Sequence, residues 1–364
     1  MFRFLLSVQT LFLSTLFFSQ VSIADDHWTP KATEYDWVQL TSGEWLKGEM
    51  KAMYSESLEF DSDKLDLLNI DWEDVQSLKS YRPSQVNLEN HDEPVKGKLQ
   101  ISGDEVQVTD GDKTLTFDRI ELISFSPAAD RELDLWALKF TLSLNVRSGN
   151  TQQVDYTAQV AAKRRTAKSR LSIDYIGNIS KTDTATGSLE ETINNHRVTA
   201  GLDIYATRYF FYTPVSGEYF RDPFQNIDSR LTLGVGVGYT FYDTAQFEWR
   251  VNGGPAIIRT RYVSVQTGED DDIHAGALVL GTDLDMEINS KTDFIFKYNI
   301  QASKSEVGGY THHMIATIEN ELTGHLDLNV SLIWDRISQP TKDSSGNLPD
   351  PDDYRLLMGV SYTY

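Results

Sequence analysis

Four side chains close together in the chain have the types needed for hydrolysis: Ser303, Ser305, His312 and His313. A hydroxyl nucleophile needs a base within hydrogen-bond reach and a third group to orient that base. The spacing works against this, because His312 and His313 are neighbours and neighbours on a strand point to opposite faces. They cannot serve one triad or one metal together, and neither G-x-S-x-G nor H-E-x-x-H occurs. No catalytic, cofactor or metal site is expected, and the chain is read as no enzyme.

Charged residues fall at some of the alternate positions of the C-terminal two-thirds. Asp283, Asp285, Glu287, Glu319, Glu321 and Asp327 would form an acidic wall that attracts cations. Lys139, Arg147, Asp155, Lys163, Arg197, Asp203, Arg230, Glu248, Arg250, Asp293, Lys297 and Arg355 share the same inward set. Mixed charges on facing walls pair and fill a lumen, whereas a lining of one sign selects ions. A salt-bridged plug and a narrow channel both remain open. The acidic runs Glu269–Asp272 and Asp350, Asp352, Asp353 read as solvated loops, or as carboxylates for divalent cations bridging to lipopolysaccharide phosphates.

The elements that would place these charges are strands. Trp136, Leu138, Phe140, Leu142, Leu144 and Val146 alternate with Lys139, Thr141, Ser143, Asn145 and Arg147. Similar alternation recurs at 231–241, 278–288 and 326–335. These segments are long for soluble strands and suit tilted crossings of a bilayer, with aromatics such as Trp136, Tyr239, Trp249, Trp334 and Tyr362 near their ends. Lipid offers no backbone partners, so such strands must close into a barrel. Twelve are expected, at 135–147, 153–163, 168–179, 195–206, 208–219, 229–241, 246–260, 273–288, 292–304, 310–322, 326–337 and 353–364. Short turns alternate with longer loops at 181–193, 221–227, 262–272 and 338–352, which places both termini on the periplasmic side.

The N-terminal third differs. Residues 1–24 read as a signal peptide, with Arg3, an apolar run and the small residues Ser22 and Ala24 before the cut. A linker (25–36) leads to an acidic all-β domain, 37–130. That segment supplies much of the net charge of −21, which disfavours nucleic acid as a partner. It contains a weak repeat: Leu46–Met50 matches Val95–Leu99, Leu58–Phe60 matches Val106–Val108, and Asp71–Val75 matches Thr116–Ile120. Two copies would pack as paired small barrels or as one sandwich. The chain has no cysteine, so disulfides and a lipidated N-terminus are excluded.

The last strand places Tyr354, Leu356, Met358, Val360, Tyr362 and Tyr364 on one face and ends on an aromatic residue. That pattern is similar to the signal by which the barrel-assembly machinery captures a strand at its own edge. The opening strand Trp136–Leu144, the hairpin Arg164–Ala167 and the closing strand Arg355–Tyr364 together resemble the salt-induced outer membrane proteins, the family of domain of unknown function 481. The resemblance implies a Gram-negative outer-membrane location, a structural or osmoadaptive envelope role, and as partners membrane lipid, lipopolysaccharide, periplasmic chaperones and the assembly machinery. A small diffusion channel is the alternative.

Overall fold

In the computed structural model, residues 29–128, 132–147, 153–183, 189–244 and 246–363 are described. The expected signal peptide and Tyr364 lie outside them. The chain divides at Lys31 into two units, and the regular elements of the described residues lie in the second.

The acidic segment forms β1 (Asp36–Leu40), β2 (Trp45–Tyr54), β3 (Ser57–Ser62), β4 (Asp66–Asp71) and β5 (Val75–Leu88). Then follow β6 (Val95–Ser102), β7 (Glu105–Asp110), β8 (Lys113–Asp118) and β9 (Leu122–Pro127). Their order is β4-β3-β2-β1-β5-β6-β7-β8, with β9 pairing to both β2 and β5. Strands β2, β1, β5 and β9 therefore close a small ring. Alternate residues point into one core that includes Val38, Met50, Leu58, Phe60, Leu78, Leu99, Ile101 and Phe125.

The repeat is built into this sheet. Each copy runs through three strands and a single 3-10 turn, Trp72–Asp74 in the first and Arg119–Glu121 in the second. The long β5 serves both copies. Its first half pairs with β1 (Leu40↔Val75), and its second half pairs with β9 (Leu88↔Leu122). The copies thus share a strand and a core, and are neither separate barrels nor a two-sheet sandwich. Gly48 and Gly97 hold equivalent places: a Cβ at either would strike the carbonyl oxygen of the neighbouring strand, Asp61 or Thr109.

One pairing of the repeat needs correction. The residue before the 3-10 turn is Asp71 in one copy and Asp118 in the other, so Asp71 corresponds to Asp118 and not to Thr116. A bulge at Met50/Ala52 and a hairpin one residue longer in the first copy account for the drift.

The remaining chain forms β10 (Trp136–Arg147), β11 (Gln153–Arg165), β12 (Ser169–Asp183), β13 (Leu189–Tyr205), β14 (Phe210–Asp222) and β15 (Ile227–Asp243). It continues through β16 (Phe247–Tyr262), β17 (Asp272–Asn289), β18 (Thr292–Ser303), β19 (Tyr310–Thr323), β20 (Leu326–Ile337) and β21 (Asp352–Thr363). These twelve antiparallel strands close a barrel. Short turns lie at the end carrying the N-terminal sheet, called here the turn end, and the longer connections lie at the loop end. The expected loop 181–193 is mostly strand, since β12 and β13 pair as far as Asp183↔Leu189.

Outside the barrel, Phe140, Leu142, Leu144, Leu231, Leu233, Ile257, Leu278, Leu356 and Met358 are exposed, while inward neighbours such as Thr141, Arg230 and Thr232 are polar and buried. Soluble proteins rarely expose so continuous an apolar surface. With aromatic stacks such as Phe241 on Trp249 and Trp334 on Tyr354 along the outer wall, this is a transmembrane barrel of the outer-membrane type. Among the described residues, no helix is long and apolar enough to cross a membrane.

Candidate functional site

Closure of the strands brings inward-facing charges from opposite walls into contact. At the loop-end half, Arg197 on β13 donates to Glu218 on β14 (2.6 Å) and to Asp335 on β20 (2.8 Å). Asp335 also holds His313 at 2.7 Å and Arg355, and Arg355 reaches back across to Asn195 at 3.1 Å. Gln301 on β18 donates to Glu218 at 2.9 Å, and Arg230 donates to the carbonyl of Val307 at 3.0 Å. Near mid-barrel, Lys297 on β18 meets Asp174 on β12 at 3.2 Å. One carboxylate thus gathers two guanidinium groups and an imidazole, and the cluster is tied to both walls.

Toward the turn end the charges pair in smaller groups. Arg250 meets Glu248 (2.9 Å) and Asp283 (3.2 Å), Arg170 meets Asp203 (2.8 Å), and Lys139 meets Glu319 and Asp327, the latter at 3.5 Å. The predicted acidic residues do adjoin one another: Glu287 pairs with Asp293 and Asp293 with Glu319 in neighbouring ladders, and Glu321 stands opposite Asp327. Cations nevertheless engage Asp283, Glu319 and Asp327. Asp285, Glu287 and Asp293 line a cavity of about 600 Å³, which they share with Tyr54, Arg165 and Arg170.

The N-terminal sheet forms one boundary of that cavity and is docked on the turn end. Tyr54 is 7% exposed and donates to the carbonyl of Thr166 at 3.2 Å, with its ring 5.7 Å from that of Tyr205. Arg165 pairs with Glu59 at 2.9 Å. Ser124 donates to the Ala167 carbonyl, Tyr209 to Glu56, and Arg208 to the Leu122 carbonyl at 2.9 Å. Two barrel turns, β11–β12 and β13–β14, thus hold the sheet.

The loop end is covered by its own connections. Asn226, in the left-handed region at φ 60°, donates from its amide to the carbonyls of Ser264 (2.9 Å) and Thr341 (3.3 Å) and accepts from the Ser264 backbone at 3.1 Å. It ties three loops together over Phe220, Ile227, Tyr262 and Ile337. Tyr262 adds a fourth loop by donating to the Glu306 carbonyl at 2.7 Å.

Other predicted residues fall as follows. His312 faces outward, stacked on Tyr298 and Trp334, whereas His313 faces the lumen, so the two histidines do not converge. Asp272 and Asp352 are each bound to arginine, at 2.6 Å from Arg259 and Arg336 respectively. Tyr354, Leu356, Met358, Val360 and Tyr362 are exposed along the outer face of β21. Among the described residues, their strand meets β10 from Lys139↔Thr363 to Ser143↔Gly359.

The inward set of the sequence lacked Arg165, Arg170, Asp174, Glu218 and Asp335. Asp335 shares the face of Asp327, so its alternation was available. Glu218 was not legible in this way, because a bulge between Thr213 and Ser216 switches which residues of β14 face inward.

The family described as "Protein of unknown function, DUF481" matches residues 140–364. No curated protein matches the chain. Among solved structures, the NanC porin is 10% identical with a TM-score of 0.36, covering 62% of this chain and 98% of that chain. The translocator domain of the autotransporter NalP from Neisseria meningitidis is 10% identical with a TM-score of 0.34, covering 62% of this chain and 87% of that one. With more than half its length matched, and the barrel within that match, the chain belongs to the DUF481 family.

Proposed function

We propose that the protein is a closed, non-conducting outer-membrane barrel with a structural, osmoadaptive role in the envelope. Its turn end and N-terminal sheet face the periplasm, it performs no catalysis, and its partners are membrane lipid, lipopolysaccharide, periplasmic chaperones and the barrel-assembly machinery. The observation that carries this reading is the charge cluster around Asp335, which joins β13, β19, β20 and β21 through the lumen. Covers at both ends add to it. Proteoliposomes containing the full chain should swell no faster in permeant sugar or salt than empty liposomes, and rapid swelling would refute closure.

A second reading has one observation in its favour. Asp285, Glu287 and Asp293 line the cavity beneath the N-terminal sheet, as the vestibule of a cation pathway would require. Cation-selective uptake abolished by Asp285→Asn and Glu287→Gln would favour it.

A further inference from the structure

The chain carries a net charge of −21, yet its outer wall at the loop end presents cations. Arg259 and Arg261 alternate with the inward-facing Ile258, Thr260 and Tyr262, so they share the outward face of Ile257. On the adjacent strand, His274 lies opposite Arg259 and Asp272 opposite Arg261. Both guanidinium groups are half exposed, and the imidazole is 70% exposed.

The strip extends sideways. Leu231, an exposed residue of the apolar belt, pairs with Arg259 on one side and with Tyr219 on the other. Arg221 is two residues beyond Tyr219 toward the loop end and so on the same outer face. Its guanidinium donates to the Asn194 side chain at 3.3 Å, a neutral partner, and no ion pair engages it among the described residues.

Asp272 orders the centre of the strip. It accepts from Arg259 Nε at 2.9 Å and Nη2 at 2.6 Å, and lies 3.5 Å from Arg261 and 3.8 Å from His274. One carboxylate therefore serves two permanent cations and an imidazole, so positive charge remains over. The other acidic residues of that loop, Glu269–Asp271, precede β17 and lie beyond its last paired position, farther from the apolar belt.

We propose that Arg221, Arg259, Arg261 and His274 bind the phosphate groups of a phosphorylated, acylated sugar lipid in the outer leaflet. Three features fit this occupant: continuity with the lipid-facing belt, positive charge at the height where headgroups begin, and guanidinium forks suited to phosphate oxygens. Asp272 is a positioning residue that holds Arg259 against the wall. The proposal rests on the loop end facing outward, as in the preceding reading.

The test uses the full chain in detergent micelles, with bisphosphorylated lipid A and its dephosphorylated form as probes and native mass spectrometry as readout. The wild type should retain the bisphosphorylated lipid and not the dephosphorylated one. Each of Arg221→Gln, Arg259→Gln and Arg261→Gln should weaken retention about fivefold, and the triple variant about a hundredfold. Arg82→Gln, on the N-terminal sheet, should change nothing. Heat-modifiable gel mobility shows whether each variant still closes its barrel. If the triple variant does not, Arg261→Gln alone carries the test, because its link to Asp272 is the looser one. Equal retention of both lipids, or a folded variant that binds like the wild type, would overturn the proposal. Micelle binding depends on neither conductance nor orientation in cells, so its failure leaves the closed-barrel reading standing.

Discussion

Lys297 on β18 lies 3.2 Å from Asp174 on β12, six strands away in a ring of twelve whichever way the wall is followed. An ion pair between opposite walls crosses the whole lumen. It lies between the smaller ion-pair groups of the turn end and the Asp335 cluster of the loop end.

Asp335 is the most connected of these residues. Asp335→Ala would leave Arg197, Arg355 and His313 without their shared acceptor, and breaking such a buried pair costs about 3–5 kcal/mol. The temperature at which the folded band converts to the unfolded band on gels should fall clearly. Glu321→Gln, on the turn-end wall, should leave it nearly unchanged, and equal shifts would show that the cluster has no special weight.

The two copies of the N-terminal repeat predict matched responses. Gly48→Val and Gly97→Val each place a side chain against a neighbouring carbonyl, so both should unfold the sheet while the barrel still shows heat-modifiable mobility. Intact hydrogen-exchange protection of the sheet in either variant would show that the copies are not equivalent.

Asp36 ties the first copy together, accepting from the backbone N–H of Met50 at 2.8 Å and of Tyr81 at 2.5 Å. Asp36→Ala strands the buried Met50 donor at about 1–3 kcal/mol and the half-buried Tyr81 donor at less, and amide exchange at both positions should accelerate. Burial raises the Asp36 pKa above its ordinary value, against the lowering effect of these two N–H groups. The folded sheet then binds the proton more tightly than the unfolded chain. The contribution of Asp36 to stability is accordingly greatest below its unfolded pKa and declines as pH rises through the folded one. A contribution that rises over that window would contradict the burial of this carboxylate.

The closing strand can be tested at the seam and at its face separately. At Gly359 a Cβ would lie 2.8 Å from the Leu142 carbonyl oxygen, in the short stretch where β21 meets β10. Gly359→Val should block closure, leaving only the heat-denatured mobility. A charge at Tyr362, near the interface, costs a finished barrel about 0–1 kcal/mol. If Tyr362→Asp nevertheless prevents accumulation in cells while refolding normally in detergent, the outer face of β21 acts as an assembly signal. Normal accumulation would make it ordinary structure.

Period-two alternation made the twelve barrel strands legible, because lipid outside and a largely polar lumen enforce it over most of each crossing. It failed where the backbone breaks period, as at the bulge that turns Glu218 inward. Docking of the N-terminal sheet was illegible for another reason. Several of its bonds end on the carbonyls of Thr166, Ala167 and Leu122, groups that every residue carries. The loop cover was hidden likewise, since Asn226 reads as a turn residue until its amide is seen to join Ser264 and Thr341.

Single-channel recording in planar bilayers tests the closed lumen most directly. The account predicts that full-length protein, verified as folded by its heat-modifiable mobility, inserts without stable conductance steps. Lys297→Ala combined with Asp174→Ala should still conduct little while the Asp335 cluster stands. Reproducible steps from the wild type would contradict closure, and cation selectivity in those steps would place the pathway along Asp285, Glu287 and Asp293.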